Sequence, residues 1–489
     1  MKVLWLCNVV LPMAAGQFHM EGSNKEGWIS GLADTLLKNQ GENSIRLTVA
    51  FPVSAAALPK GVDVCKKTVR TGGAVFDCYG FLEDVRNAQV YDPALEVRMK
   101  QITDEVQPDI VHCFGTEYPH TLAMCRSFPR RERLLIGLQG LCTLYAQGYY
   151  ADIPERVIHS VTLRDLLRKD NLIQQQEKYV LRGHMERETV LLAGNVTGRT
   201  EWDRENSRLW NPNINYFHMN ETLRPEFYGP VWKEENCIPH SIFVSQGDYP
   251  LKGLHYMLSA MPMILEKYPD AKVYVAGASL VEYRTLKQKL KISAYGKYLR
   301  SLIKGNGLEG RVEFLGRLDA KQMMDRYLKS NLFVCCSALE NSPNSLGEAM
   351  LLGMPCVSAD VGGISSIFTH GEDGILYEGH RLETELEAKL ETKRVSEAGS
   401  ESEYTLRFEL DPESDRSYKN NTCNNEKNRM VFISNALAKA VLEMFGDSEK
   451  MKMYCKNARK HAEITHNKEV NYQVMIEIYA RIISMDYVR

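Results

Sequence analysis

The 489-residue sequence has no run of about 20 apolar residues, the length that crosses a bilayer as a helix. It has no Cys-x-x-Cys pair among its 12 cysteines, which removes the commonest thiolate metal and redox spacings. Cys7, Cys113, Cys335, Cys336 and Cys356 sit inside apolar runs instead and read as small core residues, as in a protein of the reducing cytoplasm. No Asp-x-Asp occurs, so the usual acidic bridge between a divalent cation and a diphosphate is missing and no metal site is expected. Charge of one sign is also scarce: 60 Lys and Arg face 62 Asp and Glu, a net charge of −2 that gives no electrostatic case for a nucleic-acid partner. Gly305, Gly307 and Gly310 in KGNGLEGR have dinucleotide-fingerprint spacing, yet they precede a strand and open no helix, which disfavours a nicotinamide-dependent oxidoreductase. The sequons at Asn195, Asn220 and Asn421 carry no meaning in a cytoplasmic protein.

What is present is a repeated strand–helix alternation over a length that suggests two domains of roughly 200 residues. The opening MKVLWLCNVVLPMAAG has the look of a secretory leader, but it reads better as the first strand of a parallel sheet followed by a turn and a helix. Further strands are expected at IRLTVAF, PDIVHCFG, RLLIGLQG and NYFHMN in the first half. The second half offers SIFVSQG, AKVYVAG, RVEFLG, NLFVCCS, PCVSAD and GILY. The expected architecture is therefore α/β, with two Rossmann-like, doubly wound domains facing across a cleft. The first spans 1–224, completed by a C-terminal helix at about 470–489; the second spans 225–469. Residues 381–429 are polar and charged and read as an insertion, with regular helix returning at Met430.

The stretch Glu340–Glu348, ENSPNSLGE, organises the second half. The apolar run before it is a strand that delivers Glu340 to the carboxyl edge of the sheet, where ligands of open α/β sheets bind. Ser342 is a candidate N-cap and Pro343 a candidate first helical residue. The amides of Asn344, Ser345 and Leu346 then open toward the same mouth as Glu348 and suit an anion. A carboxylate on each side of an anion site fits a phosphate flanked by two hydroxyl-bearing rings, which is the layout of a nucleotide-sugar.

The segment SALENSPNSLGEAMLLGMPCVSADVGGISSIF, followed by HGEDGILY, resembles the Glu-x7-Glu signature of the retaining family-four nucleotide-sugar glycosyltransferases of GT-B fold. IFVSQGDYPLKGLHYMLSAMPMILEKYPDAKVYVAG and RVEFLGRL extend the resemblance upstream. It implies that Glu340 contacts the donor sugar, that Glu348 holds the ribose hydroxyls, and that the sugar keeps its anomeric configuration. The implied partners are a nucleotide-sugar donor, which is a substrate and not a cofactor, and a glycan or lipid-linked glycan acceptor, as in cell-surface polysaccharide synthesis. A non-hydrolysing nucleotide-sugar epimerase of similar fold is the alternative.

In this family an Arg stands six residues before the Lys of SQGDYPLKG; this chain has Gln246 there, so Lys252 carries the diphosphate with the helix amides. Arg199 is a candidate replacement for the absent charge. Gly22 and Ser23, in the loop after the first strand, serve either as a structural turn or as a loop facing the donor phosphates. His112 ends a first-domain strand where the family often has His, and is either a catalytic group or a core histidine; Gln139 stands at a second such place. Finally, residues 156–187 carry seven Lys or Arg against four acids, with Leu163, Leu166, Leu167 and Val180 as their apolar complement. They form either a solvated helical face or a peripheral docking surface for the inner face of the cell membrane.

Overall fold

A computed structural model describes the chain except residues 21–26, 40–44, 72–73, 282–284, 286–287, 289, 383–414 and 486–489. The first sheet is built from β1 Lys2–Cys7, β2 Arg46–Val53, β3 Val64–Thr71, β4 Ala74–Leu82, β5 Ile110–Phe114, β6 Leu134–Gly137, β7 Asn195–Gly198 and β8 Asn215–His218. Its order is β3-β4-β2-β1-β5-β6-β7-β8, parallel except for the β3–β4 hairpin. The second contains β9 Ile238–Val244, β10 Lys272–Ala276, β11 Val312–Gly316, β12 Ser330–Cys335, β13 Cys356–Asp360 and β14 Ile375–Glu378, in the order β11-β10-β9-β12-β13-β14. Here the pairings between neighbouring strands are parallel.

Both orders reverse direction at one point, between β1 and β5 in the first sheet and between β9 and β12 in the second. A crevice forms at such a reversal because successive crossover helices leave on opposite sides. In the second sheet it is lined by whatever follows β9 and β12, which is Gln246 and Ser337–Glu340. Of the strands beside it, β12 is buried along its whole length and β9 over its last four residues, as a parallel sheet covered on both faces requires.

The opening residues form β1, the strand at the first sheet's reversal, with Trp5 opposite Val49 and His112. The helix Lys468–Met485 packs Tyr472, Met475, Tyr479 and Ile482 into the same core, and the Trp5 indole donates to the Tyr479 hydroxyl at 2.9 Å. Helix begins again at Asp415 and not at Met430, running to Gly446; residues 383–414 of the expected insertion lie outside the described residues. The five buried cysteines named above are core residues. The GxGxxG look-alike is a loop: Gly305 ends a helix, and Gly307 and Gly310 take positive φ before β11.

The two domains meet through Asn341. Its side chain accepts from Thr200 Oγ1 at 2.6 Å and donates to the Gln139 carbonyl at 2.9 Å and to Asp203 Oδ2 at 3.0 Å.

Candidate functional site

A cleft of about 290 Å³ opens between the domains, lined from the second by Gln246, Lys252, Ser337, Glu340, Asn344, Ser345 and Glu348, and from the first by Gly27 and the connecting residues Leu223 and Arg224. Glu340 owes its position to close backbone packing. Gly253, at φ 66°, lies so near the Cys336 carbonyl that a Cβ there would stand 1.7 Å from the oxygen. On the other side Gly362 leaves no room for a Cβ over the Glu340 carbonyl, and the Gly363 amide donates to that oxygen at 3.0 Å. The Ala338 amide donates to the Leu251 carbonyl, joining the Lys252 turn to the Glu340 loop.

The carboxylate so placed accepts on Oε1 from Lys252 Nζ at 2.5 Å and from the Ser337 hydroxyl at 2.7 Å. Burial alone would lower the Lys252 pKa, but the facing Glu340 carboxylate outweighs it and holds the ammonium well above its ordinary range. The second carboxylate, Glu348, lies one helical turn inside Asn344–Leu351 and is 3% exposed. Arg224 grips it with two parallel bonds, 2.6 Å from Nε and 2.7 Å from the terminal nitrogen. Desolvation pushes the Glu348 carboxyl up against the pull of this guanidinium. The Arg224 stem crosses Gly27, where a Cβ would come within 2.4 Å of it.

The side-chain charges of this wall therefore cancel in two pairs, and positive potential is added by two helix openings. Asn344 and Ser345 sit in the first turn of Asn344–Leu351, while Gly27 opens the helix Gly27–Lys38 from the opposite domain. Unpaired first-turn amides and the helix dipole favour an anion at both.

Several expectations change here. The helix starts one residue later than the sequence suggests: Pro343 is its N-cap, in extended conformation, and Ser342 lies outside it. The Leu346 amide donates to the Pro343 carbonyl at 3.0 Å and its side chain is fully buried, so Leu346 is not a ligand group. Gly22 and Ser23 lie outside the described residues; Gly27, at the end of their loop, does line the cleft. A second cation, Arg224, does line the cleft, and no periodicity or motif marks it because it sits in the connection between domains. Arg199 is elsewhere, buried in an ion pair with Glu221.

His112 is not brought to this cleft. It lines a separate cavity of about 10 Å³, room for one water, with Thr197, Arg199 and Glu221. Its Nδ1 is 2.8 Å from the Tyr479 hydroxyl. Because Trp5 can only donate to that hydroxyl, the tyrosine proton is free for Nδ1, leaving Nε2–H toward the cavity. Burial pulls the His112 pKa down to about 3, which favours the neutral ring. Gln139 also borders this cavity, and its carbonyl accepts from Asn341. Among the described residues no group of three or more His, Cys, Asp or Glu is arranged around a metal ion, and no helix is long and apolar enough to cross a membrane.

Two parallel-sheet domains closing on a cleft, with the ligand-facing carboxylates on the second, define the GT-B class. Residues 239–393 match the model of the family described as Glycosyl transferases group 1. N-acetyl-alpha-D-glucosaminyl L-malate synthase of Bacillus anthracis is 38% identical over 163 residues, which is 33% of this chain and 37% of that protein. An uncharacterized glycosyltransferase of Methanocaldococcus jannaschii is 31% identical over 134 residues, 27% of this chain and 30% of that protein. The match thus spans about a third of the length of these relatives. Similarity of fold covers the whole chain: a sucrose-phosphate synthase of Thermosynechococcus elongatus superposes with a TM-score of 0.63 over 99% of this chain and 100% of its own at 15% identity. Anabaena HepE, solved in complex with UDP-glucose, gives 0.58 over 98% of this chain and 100% of its own, also at 15% identity.

Proposed function

We propose that the protein is a retaining glycosyltransferase, moving a sugar from a nucleotide-sugar to a glycan or lipid-linked glycan acceptor. One observation carries this reading: two buried carboxylates, each paired with its own cation, share a single cleft with two helix openings. The diphosphate lies against Lys252, Arg224 and the first turns of the 27–38 and 344–351 helices, where charge developing on the leaving group meets fixed donors. Glu340 faces the donor sugar. Glu348 takes the ribose hydroxyls, and as it does so the Arg224 guanidinium is released toward the phosphates. No dedicated base is required, since the departing phosphate accepts the acceptor's proton on the face it leaves; the neutral, enclosed His112 is consistent with that. Cations and helix dipoles supply the charge that a metal ion supplies elsewhere, so transfer proceeds without one. The acceptor side includes a peripheral contact with an anionic bilayer through residues 156–187.

The test is calorimetric binding and turnover with a panel of nucleotide-sugars, beginning with UDP-sugars because HepE was solved with UDP-glucose. Glu340→Gln is expected to cut turnover far more than donor affinity, and Glu348→Gln to weaken nucleotide binding. Wild-type values for both variants would remove the assignment. Labelled donor incubated without acceptor separates transfer from epimerisation, since only an epimerase converts the free nucleotide-sugar into its epimer.

A further inference from the structure

The 156–187 region is not one amphipathic face. It is divided into helices Glu155–Ile158, Leu163–Arg168 and Leu172–Leu192. The middle one carries its apolar side chains outward: Val161 is 52% exposed, Leu163 51%, Leu166 67% and Leu167 76%. Neighbouring apolar residues this exposed are uncommon on a soluble surface, whereas single ones are ordinary.

The exposure is built in. Thr162 and Asp165 form a reciprocal cap at the start of the short helix. Asp165 is 1% exposed and also accepts from Arg164 at 2.9 Å and from the Ala294 amide of the second domain at 3.0 Å. The polar residues of this helix are thus its anchor, fixed to both domains, and the leucines are left as its free surface.

Charge identifies what covers them. Arg168 and Lys169 are exposed at the end of the same helix and Arg156 on the helix before it, while between 155 and 170 the exposed acid is Glu155 alone, Asp165 being buried and Asp170 half-buried. A second copy of the chain fits poorly, because a two-fold contact would set Arg168 and Lys169 against their own images. Exposed leucines followed directly by exposed cations fit an anionic lipid surface, with apolar tips in the acyl boundary and ammonium and guanidinium groups at the headgroups.

The same helix borders the cleft region. Arg164 and Asp165 form one wall of an interdomain chamber of about 260 Å³, and Asp248, Pro250 and Tyr295 the other. Asp248 accepts from Gln246 at 2.9 Å, and Gln246 lines the nucleotide cleft. Pro250 belongs to the same short turn as Lys252. A bilayer held at the leucine tip therefore lies beside a chamber that is one hydrogen-bonded pair, Gln246 and Asp248, away from the cleft.

We infer that the Val161–Lys169 tip docks the protein on an anionic bilayer and that the acceptor is an amphiphile resident in it; the acceptor part rests on the transferase reading above. The full chain is sedimented with vesicles of phosphatidylcholine alone and of phosphatidylcholine with phosphatidylglycerol. Binding is expected to the anionic vesicles and to weaken with salt. Leu166→Ser with Leu167→Ser removes at least about tenfold of that affinity. Arg168→Glu with Lys169→Glu removes the preference for anionic lipid, roughly fivefold for each cation lost. UDP affinity, measured calorimetrically on every form, stays at the wild-type value. If the wild-type chain leaves anionic vesicles in the supernatant, or the leucine variant binds them as tightly, the docking inference fails while UDP binding still upholds the transferase reading. Absence of UDP and other nucleotide binding with vesicle binding intact sinks the transferase reading and the amphiphilic acceptor, and leaves the docking surface. A dimer that the leucine variant converts to monomer assigns the tip to a second copy and overturns the proposal.

Discussion

Two arginine–glutamate pairs meet on one short connection, through Glu221 and Arg224, and they differ in what surrounds them. Arg199 and Glu221 close on each other beside a cavity with room for one water, 6% and 3% exposed. Arg224 and Glu348 are almost as buried, yet they border a cleft of about 290 Å³ next to a second ion pair and two helix openings. Burial and pairing are therefore no guide to which pair meets ligand; access is. For Arg199 desolvation lowers the pKa, and for Arg224 the grip of Glu348 overcomes desolvation and raises it. The enclosed pair ties strands to the connection, while the open pair presents its carboxylate to the cleft.

This contrast breaks most readily at Arg199. Arg199→Ala leaves Glu221 buried without its partner, and a loss of about 3–5 kcal/mol in unfolding free energy is expected with nucleotide affinity unchanged. Denaturant titration and calorimetry check the two halves; a large change in nucleotide binding at preserved stability would place the ligand in the wrong cavity. Lys252→Ala comes next, with turnover expected to fall about 100- to 1000-fold, the usual consequence of removing one preorganised donor at a leaving group. Steady-state rates at saturating donor measure it, and a change confined to KM contradicts the leaving-group role.

Gln246→Arg sharpens the comparison by adding a cation to the open side. A charge-assisted hydrogen bond is worth about 1.5–3 kcal/mol, and the neighbouring Asp248 shares the new charge, so diphosphate affinity should rise about tenfold. Unchanged calorimetric affinity would show that the phosphates lie away from Gln246. The smallest effect belongs to chelation: with Lys252, Arg224 and the helix openings carrying the diphosphate, EDTA should leave the transfer rate as it was. Loss of transfer in EDTA, restored by magnesium or manganese, would contradict that account.

The second domain was the more legible half of the sequence because β9, β10, β12 and β13 are each buried over at least four residues and read as mostly apolar runs; all six expected segments correspond to strands, β11 among them although none of its residues is buried. The β3–β4 hairpin was not legible. Val64–Thr71 is VCKKTVRT, an edge strand with one wet face, and Asn195–Gly198 is only four residues long. Within the site, Glu340, Glu348, Lys252, Gln246, Asn344 and Ser345 are brought together by one motif and one strand end. Arg224 escaped because a long side chain reaching in from a connection leaves no spacing to detect. His112, which the sequence leaves open as a catalytic group or a core histidine, stands at a strand end, but the cavity it lines has room for one water only.

Asn341 gives the molecule a sense of timing. The residue after Glu340 is bonded to Thr200, Asp203 and Gln139 of the first domain, so a parting of the domains breaks three bonds next to Glu340. Opening for product exit and disarming of the carboxylate then become a single event. On the transferase reading proposed above, a donor arriving at an open molecule would meet a carboxylate out of posture and be spared hydrolysis until the domains close. In Asn341→Ala, hydrolysis of donor would rise relative to transfer, and an unchanged ratio would uncouple the two.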